Sequence, residues 1–240
     1  MIGIYGAETF FMFLADRARA LAMETEDCLL SELAPAWIVD ADSVRRPDGG
    51  FFTVRGRHVR RAAGREVSGW SQPLIFGDSG GTVALAICSV VGEGDLYLVR
   101  VKAEPGAMGI EVDGQNTRVI VSPTLQFSRS NLERHGRALR GETDERGQSI
   151  KPVPLAGILN EHRFRVSWQP VPEDPGRFAD KVNRAGFIHA PSTDAFNGDI
   201  TELPEEQRHD FAWVNLEVLR MLCSRGYANS HLRSVMAMLA

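Results

Sequence analysis

The chain has 240 residues, of which 43% are hydrophobic and 24% charged. That balance excludes extended disorder and supplies apolar material for one large domain or two small ones. A formal net charge of −4 provides no basic field for a phosphate backbone, so a nucleic-acid partner is not expected.

Residues 7–23 predict an amphipathic helix, because Phe10, Phe13, Leu14, Ala18 and Leu21 recur at three- and four-residue spacing between Asp16, Arg17 and Arg19. The apolar run 10–14 inside it is too short for a signal segment or a membrane span. Residues 28–33 predict a short helical or loop element ending before Pro35. The stretch 51–59 reads as two short strands around a turn at Gly56, and a further strand runs from Gly64 toward Trp70 and ends at Pro73. Residues 82–91 are almost continuously apolar, which fits a strand buried on both faces. The turn Gly92-Glu93-Gly94-Asp95 then leads into a second strand over 96–102, making a hairpin. A strand over 118–127 is interrupted by Pro123.

The polar, Gly-rich stretch 137–151 predicts a mobile loop or lid. Residues 158–168 read as strand or mixed structure, and 182–189 as a final strand. Two amphipathic helices are expected over 211–222 and 231–239, with Gly226 as a C-cap between them. No internal repeat is visible. The pattern predicts an α+β fold, a mixed β-sheet flanked by helices, as one unit over residues 1–240. Cys28, Cys88 and Cys223 lie far apart with no metal-ligand spacing, and read as reduced, mostly buried thiols of a cytoplasmic protein.

Seven segments then align in order: FLADRARA (13–20), FFTVRGRHV (51–59), REVSGWSQPLI (65–75), LYLVRVKAEPG (96–106), VSPTLQFSRSN (121–131), GRFADKVNR (176–184) and FAWVNLEVLRMLC (211–223). Together they resemble the nucleoside-diphosphohexose 2,3-dehydratases, which act on thymidine-diphospho-4-keto-6-deoxyhexoses on the way to 2-deoxysugars. The resemblance implies a Nudix-like fold; the Nudix metal box is absent here. It also implies a lyase that needs no metal and no redox cofactor, a dTDP-linked sugar nucleotide as substrate, and a downstream 3-ketoreductase in the pathway.

Family members usually carry two such repeats per chain. A lone repeat should expose an apolar face, so a homodimer is expected, with the C-terminal helices contributing the interface or else packing in the core. The family's Gln-Ser-Glu run reads Val171-Pro172-Glu173 here, which keeps only the glutamate. Two other readings stay open: a non-catalytic nucleotide-sugar-binding accessory subunit, and a keto-sugar-nucleotide isomerase or epimerase.

With that chemistry in view, Lys102 and Glu104 are the first catalytic candidates. At alternate positions of one strand end they should share a face, as base and enolate stabiliser or else as a surface ion pair. Trp70 could stack on a nucleobase or sugar face with Gln72 bonding a ring substituent, or be a core tryptophan. Gln126, Ser128, Arg129, Ser130 and Asn131 form a polar run that can open a helix capped by Ser130 or Asn131, and with Arg134 can bind a diphosphate or sugar hydroxyls there. Glu173, Arg177, Asn183 and Arg184 are further substrate-binding candidates, the arginines for the diphosphate. Of the scattered histidines 58, 135, 162, 189, 209 and 231, only His135 is assigned a role, as acid or base.

Overall fold

The computed structural model describes residues 2–144, 147–160 and 164–239. His162 lies outside the described residues, as do positions 145–146 of the polar 137–151 stretch.

The chain opens with β1 (Ile4–Tyr5) and α1 (Ala7–Leu21), followed by β2 (Ile38–Val39), β3 (Val44–Arg45), β4 (Thr53–Val59) and β5 (Trp70–Phe76). The hairpin β6 (Thr82–Val90) and β7 (Gly94–Ala103) comes next, then the small pair β8 (Glu111–Val112) and β9 (Gln115–Asn116). The middle holds β10 (Val119–Pro123), β11 (Leu125–Phe127), α2 (Arg129–Leu139), β12 (Arg165–Pro172), β13 (Phe178–Ala179) and β14 (Val182–His189). Helices α3 (Asn197–Thr201) and α4 (Glu205–Arg208), strand β15 (Phe211–Asn215), and helices α5 (Leu216–Ser224) and α6 (Ser230–Met236) follow.

The fold is α+β. Its main sheet is mixed, in the order β1-β15-β7-β6-β14-β12, with β10 added to β7 and β11 to β6. A smaller sheet runs β13-β5-β4-β3-β2. The apolar run of β6 is explained by cover on both sides of the main sheet. Val83, Leu85 and Ile87 pack with α1, α5 and α6 through Phe10, Leu219 and Leu232. The alternate residues Ala84, Ala86 and Cys88 pack with Ile158, Phe164 and Phe196 on the opposite face. Among the described residues no helix is long and apolar enough to cross a membrane.

The hairpin β6–β7 is a fork. Its strands pair only from Val90↔Gly94 to Ala86↔Leu98; beyond that, β11 takes over the start of β6 and β10 the end of β7. Thr124 sits at the crotch with 2% exposure, its hydroxyl accepting from the Ala86 N–H at 2.8 Å and donating to the Leu98 carbonyl. One side chain thus satisfies two buried backbone groups where the ladder divides. Thr124→Val keeps the shape and strands both groups, so it should cost about 2–4 kcal/mol at the denaturation midpoint. Unchanged stability would contradict this account of the fork.

Several expectations need correction. Gly56 makes no turn: β4 is continuous and Gly56 pairs with Pro73, through which β5 also runs. The N–H of Ile75 donates to Arg177, away from β4, and Pro73 two residues earlier turns its missing N–H to that same side, where β13 pairs only with Ile75 and Phe76. Residues 211–215 are strand, not helix, because Phe211 and Trp213 face one core while Ala212 and Val214 face the other. A strand apolar on both faces shows no period. Asn215 then caps α5 by accepting from the Val218 N–H at 3.0 Å. Helix α2 extends through Leu139, so the first residues of the 137–151 stretch are helical, and Ile150 is buried. Cys28 is exposed; Cys88 is buried and Cys223 lies half-buried against Met236.

Candidate functional site

Strand directions gather the polar ends of five strands at one end of the main sheet. β6 and β14 are parallel and start there, with Thr82 beside Arg184. β11 and β7, antiparallel to β6, and β12, antiparallel to β14, finish there. Helix α6 starts at the same end, since the Asn229 N–H bonds the Val121 carbonyl on β10.

Lys102 Nζ lies 2.6 Å from Glu104 Oε1, so the two side chains do share a face. Asn229, 5% exposed, donates from Nδ2 to Gln126 Oε1 at 2.7 Å and to Glu104 Oε1 at 3.3 Å. Its Oδ1 caps α6 by accepting from the Leu232 N–H at 2.9 Å. One asparagine therefore ties Glu104 to Gln126 across the mouth of the fork. Burial raises the Glu104 carboxyl, but Lys102 and the Asn229 amide outweigh it and leave it below the ordinary glutamate range. Burial also holds the Lys102 ammonium below its usual range, against the pull of Glu104.

Next to this cluster is a cleft of about 580 Å³, with Val83 and Ala185 of the sheet as its floor. Its walls are the 172–178 loop and the first turns of α6, including His231. Inside it, Glu173 Oε2 accepts from Asn183 Nδ2 at 2.5 Å and lies 3.8 Å from Lys181 Nζ. Glu173 Oε1 lies 3.9 Å from His231 Nε2. Asn183 Oδ1 is buried with no hydrogen-bond partner, packed so closely on Gly81 that a Cβ there would sit 2.5 Å from it. Burial lowers the His231 imidazole below its ordinary 6.5; Glu173 pulls it up, Lys102 pushes it down, Glu104 pulls up and Lys181 pushes down.

The other sequence candidates divide. Arg177 stands at the cleft with an 80% exposed side chain, paired with Asp174 at 3.5 Å. Arg184 points to the opposite sheet face: its Nε donates to Thr82 at 2.9 Å and its guanidinium lies 5.0 Å from the Trp168 ring. It lines a second cleft of about 470 Å³, which Asn183 also borders. Trp70 Nε1 donates to Gln72 Oε1 at 2.6 Å, and Gln72 Nε2 donates to the Gly176 carbonyl at 2.9 Å. Gln72, held by Trp70, thereby grips the loop that walls the first cleft.

Helix α2 is capped by Ser128, not by Ser130 or Asn131: its hydroxyl accepts from the Asn131 N–H at 3.2 Å and bonds Ser130 at 2.8 Å. Arg129 pairs with Glu133 at 3.3 Å in solvent, and Arg134 is exposed. His135 Nδ1 accepts from the Val153 N–H at 3.0 Å. That helix and Val153 pack on the sheet face away from the first cleft.

Sequence reasoning missed His231, Asn229, Lys181 and Trp168. Asn229-Ser230 ahead of an apolar run is a helix start that could have placed His231 in its first turn, but nothing local shows where that turn docks.

The comparisons bear on this geometry. A family model described as NDP-hexose 2,3-dehydratase matches residues 7–239. A Streptomyces violaceoruber protein named dTDP-4-dehydro-6-deoxy-alpha-D-glucopyranose 2,3-dehydratase is 26% identical over 181 residues, 75% of this chain and 33% of that protein. The chain thus spans about a third of the length of the curated relative it matches. Since the family match runs from the first residue of α1 to beyond the end of α6 and includes every residue of the cluster and cleft, the chain belongs to the NDP-hexose 2,3-dehydratase family.

Proposed function

We propose that residues 1–240 act as one dehydratase unit that removes water across C2–C3 of a nucleoside-diphosphate 4-keto-6-deoxyhexose, with a dTDP-linked sugar as the first substrate to test. The observation that carries this reading is the convergence of Lys102, Glu104, Asn183, Glu173 and His231 at one end of the sheet beside a cleft of about 580 Å³. A ketone at C4 acidifies the hydrogen on C3, because the carbanion delocalises onto the ketone oxygen. Loss of the C2 hydroxyl then leaves an enol that relaxes to a 3,4-diketone. The protein must supply a proton acceptor near C3, a proton donor near O2 and a donor for the enolate oxygen. The ketone provides the activation, so neither metal nor redox cofactor is required.

Lys102 takes the enolate. Its charge is held in place by Glu104, whose Oε1 is shared by Lys102 and Asn229. Arg177, at the open side of the cleft, takes the diphosphate. Incubation with dTDP-4-keto-6-deoxyglucose should give, after trapping, a product lighter by one water. A panel of keto-sugar nucleotides returned without water loss would overturn the reading. The diketone would then pass to a 3-ketoreductase in the cytoplasm, where sugar nucleotides are made and used.

A homodimer belongs to the same proposal, through a different surface from the one the sequence suggested. Leu219, Leu222, Leu232 and Val235 of the C-terminal helices are fully buried in the chain's own core. The exposed apolar side chains Leu29, Leu30, Ile38, Val39 and Phe51 lie instead on and before the small sheet, whose last strand β2 leaves one edge unpaired. Light scattering should give twice the 26.5 kDa chain mass, and a monomeric mass would refute the dimer.

A further inference from the structure

We propose that His231 is the proton carrier of the elimination, taking the proton from C3 and returning it to the departing hydroxyl at C2. The proposal rests on the dehydratase reading and adds the group that moves the proton. His231 reaches the cleft from the first turn of α6, whose start is fixed by the Asn229 cap. Its Nε2 faces Glu173 Oε1 at 3.9 Å, and Asn183 orients that carboxylate through Oε2.

At this end Glu104 Oε1 is held by Lys102 and Asn229, Gln126 by Asn229, and Arg177 by Asp174. The imidazole of His231, on the cleft wall, accepts a proton in its neutral form and releases it again in its charged form within the range where both forms are accessible near neutral pH. Charges of both signs act on it, from Glu173, Lys102, Glu104 and Lys181, with Asp174 and Arg177 in the same cleft wall.

The step balances. The neutral imidazole takes the C3 proton while the C–H electron pair enters the C3–C4 bond and the carbonyl pair moves to oxygen beside Lys102. The enolate then collapses, C4=O reforms, the electron pair forms C2=C3 and the C2–O bond breaks. The imidazolium gives its proton to the leaving oxygen, which departs as water, and the neutral ring is restored. The enol hydroxyl at C3 passes its proton through solvent to C2.

The test is the acid limb of kcat/KM against pH. In the wild type it should lie below the ordinary imidazole value of 6.5. Glu173→Gln removes a group that raises the His231 pKa and should move the limb to lower pH; Lys181→Met removes one that lowers it and should move the limb to higher pH. A merely structural role predicts no such pair of opposite shifts. His231→Asn should lower kcat about 100-fold with KM for the nucleotide sugar little changed.

The proposal is overturned if wild type eliminates water yet the limb stays fixed in both charge variants, or if a folded His231→Asn protein keeps its turnover. Wild type that eliminates nothing defeats the dehydratase reading itself, which is a separate outcome.

Discussion

Lys102→Met should lower kcat about 100- to 1,000-fold while leaving the affinity for a dTDP product analogue nearly intact, as expected when one preorganised donor to a developing oxyanion is removed. Lys102 is near the last residue of β7, where the ladder ends and the side chain is free to turn out, and Glu104 two residues on fixes its ammonium at 2.6 Å. Burial disfavours that ammonium, so the protein holds it charged through a carboxylate whose position Asn229 and Gln126 fix in turn. A charge constrained in this way strengthens as the ketone oxygen gains charge, and does not have to reorganise when it does. Binding of the nucleotide uses other groups, which is why affinity should survive. Lys102→Arg should recover part of the rate, since the charge remains but its donors are displaced. Equal turnover in wild type and Lys102→Met would remove Lys102 from the reaction.

Gly186→Ala should be the most damaging single methyl group in the main sheet. A Cβ at Gly186 would lie 1.8 Å from the Ser167 carbonyl oxygen and 3.2 Å from the Trp168 Cα, atoms of the neighbouring strand β12. Backbone cannot move aside as a side-chain tip can. Either β12 separates from β14 or the register between them is lost. The expected cost exceeds about 4 kcal/mol, in the range that single substitutions reach only through such clashes or large cavities. Because β14 carries Asn183 and Glu173 directly follows the end of β12, the failure should appear both as a lowered Tm and as lost nucleotide-sugar turnover. A folded, active Gly186→Ala protein would mean that the two strands approach less closely than described.

Much of the fold was legible in the sequence where local pattern and final environment agree. Strand β14 falls on the predicted 182–189, and β6 on the apolar run begun at Thr82, because turn residues bound both segments. Helix α1 kept its spacing because only one of its faces is buried, by Phe10, Leu14 and Ala18. Where both faces are apolar the period vanishes, and 211–215 was read as helix for that reason. Gly56 and Pro73 are breakers in isolation; set opposite each other across a ladder, they are accommodated.

The candidate site was legible in part. The Lys102–Glu104 contact follows from alternation along a strand, which is local information. The placement of His231 and Asn229 at that end depends on distant strands coming together, as where Asn229 meets Glu104 from far along the chain, and no spacing encodes that. His135 drew notice through its nearness to the Ser-Arg-Ser-Asn run, yet its ring is held by the Val153 N–H on the other face of the sheet. Residues close in sequence were separated by the sheet, and residues far apart were joined at its end.

The most direct test of the whole account is the fate of solvent deuterium when the protein acts on dTDP-4-keto-6-deoxyglucose in D2O. Elimination through a C3 enolate predicts a trapped product that has lost one water and carries one deuterium at C2. Deuterium at C3 with no change in water content would assign the chain to epimerisation. A substrate recovered unlabelled and intact, though bound, would contradict catalysis at this site.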